Sequence, residues 1–186
     1  MRRFVLGWKK LGHQDCFQAR IGNDADDVVI LCRHRAGKAL AAMRDMMARL
    51  KLTVNETKTH VCRMANESFD FLGYTFGRMY SPRTGGAYQG VRPSRKKVQH
   101  VCHEINDLVQ KLPPFIRPDA LVCQVNQVLR GWTNYFCYGT VSPAYRAVHQ
   151  HATHRVRQWL QRKFAVRGRG YYHFSGAYLE HSLGLF

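Results

Sequence analysis

The sequence has little negative charge: 12 Asp and Glu face 29 Lys and Arg in 186 residues, a formal balance of +17. A surplus of that size selects polyanions such as RNA or DNA as partners, because each phosphate contact releases condensed counterions. It ranks a solvated or membrane-facing basic surface lower. No apolar run approaches the roughly 20 residues a membrane span needs. Met1-Arg2-Arg3-Phe4 is basic, but neither an apolar stretch nor a small-residue cleavage site follows, so it is not read as a signal peptide. The six cysteines are scattered without a C-x-x-C pair. That argues against a disulfide framework or a zinc site and fits reduced thiols in a cytoplasm. There is no low-complexity tract, and the length suits one or two domains with an ordinary core.

His149, His151 and His154 form a local cluster. On a helix the second and third are displaced by about 200° and then about 300° around the axis, so the three do not converge on one metal. They are read as facing RNA.

Residues 17–32 place two strand-like runs around Asn23-Asp24-Ala25-Asp26-Asp27, a β-hairpin pattern with its carboxylates at the turn. Three carboxylates within four positions repel one another, which a cation such as magnesium would offset. A solvated acidic turn explains the same pattern. Residues 37–50 follow as an amphipathic helix, with Leu40, Met43, Met47 and Leu50 on its buried face. Residues 69–80 are aromatic and β-branched and predict a strand. Residues 81–90, with Pro82 and a glycine pair, predict the turn of a hairpin. The first half is thus an α+β unit.

Composition then shifts. Residues 92–170 hold 14 Lys and Arg against three Asp and Glu. Ser94 is the expected cap of a helix with apolar positions Val98, Val101, Ile105, Leu108, Val109 and Leu112, stopped by Pro113-Pro114. Asp119 is the expected cap of a second, striped by Leu121, Val122, Val125, Leu129, Trp132 and Phe136. Ser142, with Pro143 in the first helical position, opens a third, striped by Tyr145, Val148, Ala152, Val156, Trp159 and Leu160. Three such stripes bury one another as a helical bundle. The opposite faces carry Arg95, Lys96, Lys97, Arg146, Arg155, Arg157, Arg162 and Lys163, and a basic helical face can hold a phosphate backbone. Trp132 and Trp159 read as core. Residues 164–186, with Arg167, Arg169 and their glycines, do not continue the helix and receive no chemistry.

Five segments together resemble the back half of group II intron reverse transcriptase/maturases. Ile21-Gly22-Asn23-Asp24-Ala25-Asp26-Asp27 is similar to the Y-A-D-D active-site turn. Residues 50–59 resemble the L-x-L-x-x-N-x-x-K-T block, and Phe69-Asp70-Phe71-Leu72-Gly73-Tyr74 the F-x-F-L-G-Y primer-grip strand. Arg92-Pro93-Ser94 resembles the start of the thumb. Residues 126–136 resemble the maturase, or X, domain signature N-x-x-L-R-G-W-x-N-Y-F.

The resemblance implies a partial reverse-transcriptase palm over residues 1–91, a helical thumb/maturase domain over 92–170 and a tail over 171–186. It implies Asp26 and Asp27 as catalytic carboxylates holding Mg2+, and Phe71, Leu72 and Gly73 as the primer grip. It also adds Lys58, Arg130 and Tyr135 to the nucleic-acid-binding residues. The implied partners are group II intron RNA and an RNA/DNA template–primer. Two departures bear on activity. Asp24 stands where the family has tyrosine, and only about 20 residues precede the turn, leaving no room for the fingers or for the strand with a third catalytic aspartate. The expectation is therefore a truncated protein, inactive as a polymerase alone, that binds RNA in splicing. A split enzyme completed by a fingers–palm fragment, a non-functional remnant and a stand-alone basic RNA-binding module remain alternatives. No endonuclease pattern follows the thumb.

Overall fold

A computed structural model describes residues 1–81, 83–168 and 170–186. Pro82 of the expected hairpin turn and Arg169 of the tail lie outside the described residues. The chain is α+β and divides into two compact units, Met1–Leu72 and Gly73–Phe186.

The first unit opens with α1 (Arg2–Lys10) and α2 (His13–Cys16), which the sequence reading did not assign. Phe4 and Trp8, one helical turn apart on α1, are both fully buried. β1 (Ala19–Asp24) pairs antiparallel with β2 (Asp27–Cys32), in register from Ala19 opposite Cys32 to Asp24 opposite Asp27. The hairpin turn is tighter than expected: only Ala25 and Asp26 lie outside the ladder, and Ala25 takes a left-handed φ of 46°. α3 (Ala36–Arg49) buries Ala39, Met43, Met46 and Met47. Its inner face is thus turned from the expected one, leaving Leu40 and Leu50 half-buried. Asn55 then folds the following loop back on itself, its side-chain oxygen accepting from the Thr57 and Lys58 amides. The unit ends in β3 (Phe69–Phe71).

The long strand expected over residues 69–80 is interrupted. Leu72 and Gly73 adopt positive φ values of 51° and 78°, which an extended strand cannot accommodate. β4 (Tyr74–Tyr80) begins beyond them and pairs with β5 (Ala87–Pro93), Tyr74 lying opposite Pro93. The expected boundary after residue 91 falls inside β5, and the β4–β5 hairpin belongs to the same compact unit as the helices.

That unit is built on α4 (Arg95–Lys111), α5 (Pro118–Tyr135) and α6 (Ser142–Lys163). The three stripes meet as predicted: Val101, Ile105, Leu121, Val125, Val156 and Leu160 are all buried in one core. Each such side chain contributes about 1.5–3 kcal/mol over its exposed state. Trp159 is buried among them and donates its indole N–H to the Leu112 carbonyl at 3.1 Å.

Ser94 caps α4 by accepting from the Lys97 amide. The other two caps are displaced by one or two residues. Arg117 occupies the N-cap of α5, with Pro118 starting the helix, and Asp119 instead pairs with the Arg117 guanidinium at 2.9 Å. Val141 occupies the N-cap of α6, and Ser142 is already helical. In both, the proline satisfies the first-turn geometry without a side-chain cap, since its missing N–H is one that would be unpaired there anyway.

Gly139 joins α5 to α6 where the chain must touch the hairpin. The Thr140 amide donates to the Val91 carbonyl at 2.7 Å, and a Cβ on Gly139 would fall 2.2 Å from that same oxygen. The tail folds back: Phe174, Leu179 and Leu185 are buried in the helical core, with a π-helical turn at Tyr178–Ser182.

Candidate nucleic-acid interface

The end of the second unit where α4 starts and α5 finishes gathers charge and aromatic rings. Arg95, Lys96 and Lys97 occupy the first turn of α4 and all three are exposed. Gly73 lies beneath them: its carbonyl accepts from the Ser94 amide at 2.8 Å, and a Cβ there would come within 3.1–3.3 Å of Phe136 and the Lys97 stem. Tyr74 donates its hydroxyl to the Tyr135 carbonyl at 2.7 Å and stacks near that ring, which is 56% exposed. The structure thus brings expected site residues Gly73, Lys97 and Tyr135 to one corner. Backbone amides at a helix start favour an anion, and the lysines reinforce that.

Tyr145, at the start of α6, donates to the Thr133 and Phe136 carbonyls at 3.0 and 2.8 Å, so the exposed Arg146 belongs to this end as well. Arg130 is exposed on α5, its guanidinium 5.9 Å from the Phe186 ring centroid.

Toward the other end of α6, Arg155 and Arg162 line an open groove with Gln110, Gln158 and Gln161. Arg155 is half-buried and bonds Gln158 at 2.7 Å, while Arg162 is exposed. These glutamines were not singled out from the sequence, because uncharged polar residues carry no periodic signal.

Two expected contacts are structural instead. Arg157 does not lie on the outer face: it is 7% exposed, donates to the Phe174 carbonyl at 2.8 Å, and sits 4.2 Å from the Tyr171 ring centroid. Its stripe neighbour Val156 is buried with it, so the inner face of α6 is wider than the apolar pattern indicated. Lys163 is half-buried and donates to the Pro114 and Ile116 carbonyls, closing the turn between α4 and α5. Asn126, first residue of the signature, is also structural. It is buried, donating to the Gly184 carbonyl at 2.7 Å and accepting from the Phe186 amide at 2.8 Å.

The histidine cluster is dispersed rather than turned outward as a group. His149 faces Glu180 at 3.6 Å, and His154 is exposed beside Gln158. His151, on α6, is half-buried and bonded to the backbone of Cys102 on α4. Burial lowers its pKa, and the charges of Arg155, His154 and His103 add to that.

In the first unit, Lys58 is exposed on the Asn55 turn. Asp24, Asp26 and Asp27 are exposed at the hairpin tip. No group of three or more His, Cys, Asp or Glu side chains suited to a metal ion occurs among the described residues. The exposed carboxylates of one hairpin tip do not by themselves fit a two-ion centre, which needs further ligands converging on the same ions. The expected primer-grip residues Phe71 and Leu72 close this unit, Phe71 ending β3 and Leu72 in the turn.

No helix among the described residues is long and apolar enough to cross a membrane. No curated protein matches the chain. Residues 98–173 match the sequence model of the group II intron, maturase-specific domain. The match covers α5 and α6 entirely, nearly all of α4, and the start of the tail that Arg157 holds. This part of the chain, three helices with a buried asparagine at position 126, is thus similar to a group II intron maturase-specific domain.

Proposed function

We propose that the second unit binds folded group II intron RNA and acts in splicing by stabilising the RNA's active shape, without chemistry of its own. The observation that carries this reading is the exposed Arg95-Lys96-Lys97 turn beside Tyr135, next to the matched domain. None of those three cations forms an ion pair among the described residues. They are available to phosphate, and the neighbouring ring can take an unstacked base.

The test is binding of a group II intron RNA by the full chain across a salt series. Replacing Arg95, Lys96 and Lys97 together by Gln weakens binding and flattens the slope of log K against log salt by about one per lost phosphate contact. Arg157→Gln, in contrast, lowers the melting temperature because it frees a buried carbonyl. Binding indifferent to ionic strength, or a triple variant equal to wild type, overturns the reading.

A second reading concerns the first unit. β1 and β2 form a sheet of two strands, with Leu31 on β2 51% exposed. Such an edge favours a further strand from a complementary polypeptide. Magnesium-dependent primer extension appearing only with a fingers–palm fragment, and lost in Asp26→Asn, supports a reverse-transcriptase role for Asp26 and Asp27. Extension insensitive to that substitution removes it.

A further inference from the structure

A cleft of about 540 Å³ opens between α5, α6 and the C-terminal segment. That is within the size range of clefts that bury small organic ligands. Trp132, Tyr145 and Phe186 supply aromatic walls, while Arg146, His149 and Glu180 line it as polar groups. Resting on the RNA-binding reading above, we propose that this cleft receives a single unstacked base of the bound RNA. In this assignment Phe186 is the stacking surface, and Glu180 reads an amino group on the base edge.

Three observations converge on that occupant. Phe186 is 53% exposed yet its amide is anchored by Asn126 at 2.8 Å, so the ring is presented from a fixed backbone. Fixed aromatic rings flanked by cations are what exposed bases stack upon, and Arg130 lies 5.9 Å from this ring's centroid. Glu180 is one of only 12 acidic residues in the chain. A lone carboxylate beside arginines repels a phosphate, so its use is with a donor rather than with the backbone. Its contact to His149, at 3.6 Å, is longer than a hydrogen bond, which leaves the half-exposed carboxylate able to accept. A carboxylate accepts from the N4 amine of cytosine, whereas uracil offers a carbonyl there. The charge arrangement therefore fits a base carrying an exocyclic amine, with its 5′ or 3′ phosphate near Arg146 or Arg130.

The test measures binding of short cytidine and uridine oligomers and of a blunt RNA duplex to the full chain. Cytidine oligomers bind more tightly than uridine oligomers. Phe186→Ala weakens both single strands by roughly five- to a hundredfold, leaving duplex affinity and the salt slope unchanged. Phe186→Trp restores single-strand binding, which a purely structural role for the residue does not predict. Glu180→Gln removes the preference for cytidine over uridine. If Phe186→Ala weakens duplex and single strands alike, or Glu180→Gln keeps the preference, the cleft is not a base site. Should wild type show a normal salt slope while Phe186→Ala is silent, only the cleft assignment falls. Salt-independent binding by wild type overturns the RNA-binding reading itself.

Discussion

The two units solve the same packing problem with unequal means. Among the described residues, the second closes a core of 18 buried residues, drawn from a hairpin, three helices and the C-terminal segment. The first has eight among the described residues, of which Met43, Met46 and Met47 are methionine, and it leaves Leu6, Leu11, Leu31 and Val61 about half exposed. Methionine fills irregular space without fixing a unique arrangement. The β-branched and aromatic residues of the helical core lock their neighbours more tightly. The two cores thus differ in size and in the stiffness of their side chains, and the family match over residues 98–173 falls on the larger one.

The sharpest way to break the contrast is Trp159→Ala. It empties a fully enclosed site, leaves the Leu112 carbonyl unpaired, and costs about 3–5 kcal/mol in urea unfolding. Met46→Ala costs less, since a smaller, adaptable side chain leaves a site more able to collapse. Equal losses from the two variants would mean that both cores are packed alike.

Acidification separates the units by a smaller amount. His151 has its pKa lowered from 6.5 in the folded state by burial. Below about pH 6.5 the unfolded chain therefore binds more protons than the folded one, and stability falls as pH drops through that region. Melting temperatures recorded from pH 7.5 down to about 5 should show a decline for wild type that His151→Gln reduces. An identical decline in the variant would place the acid sensitivity elsewhere.

The smallest effect is expected at the hairpin tip. Replacing Asp26 and Asp27 together by Asn changes stability by less than about 0.5 kcal/mol, because both are exposed and unpaired by any ion pair among the described residues. Magnesium should leave the wild-type melting temperature unmoved, since a ligand stabilises only what it binds. A rise with magnesium that the double variant loses would show that the tip holds the ion after all.

The helices of the second unit were readable from sequence because one-sided burial imprints a period near 3.6, and Val101, Ile105, Val125, Val156 and Leu160 all obey it. The hairpin of residues 19–32 was readable for a different reason: two strand-like apolar runs flank a polar, turn-forming insert. Other features leave no such imprint. The break at Leu72 and Gly73 is a matter of φ, and a glycine inside an aromatic run reads equally as strand. Phe4 and Trp8 share a turn of α1, but one pair of aromatics among basic residues is too short a stripe to announce a helix. Arg157 was placed outside because charge usually marks a solvated face. Its burial depends on a carbonyl from Phe174 and a ring from Tyr171, both supplied by a distant stretch of chain. Of the candidate interface, the Arg95-Lys96-Lys97 run was legible as charge, whereas its nearness to Gly73 and Tyr135 comes from tertiary packing alone.

Asn126 holds residues some sixty positions further along the chain by both faces of one amide. During synthesis α5 is therefore made with its inner surface uncovered near Leu185, and it stays so until that leucine has been added. Covering that surface is a contact of long sequence separation, which local helix formation alone does not supply. A chain lacking residues 184–186 would then hold its helices but leave the Asn126 amide without its partners and the interior open at that end, a product suited to proteolysis rather than to partnership with RNA.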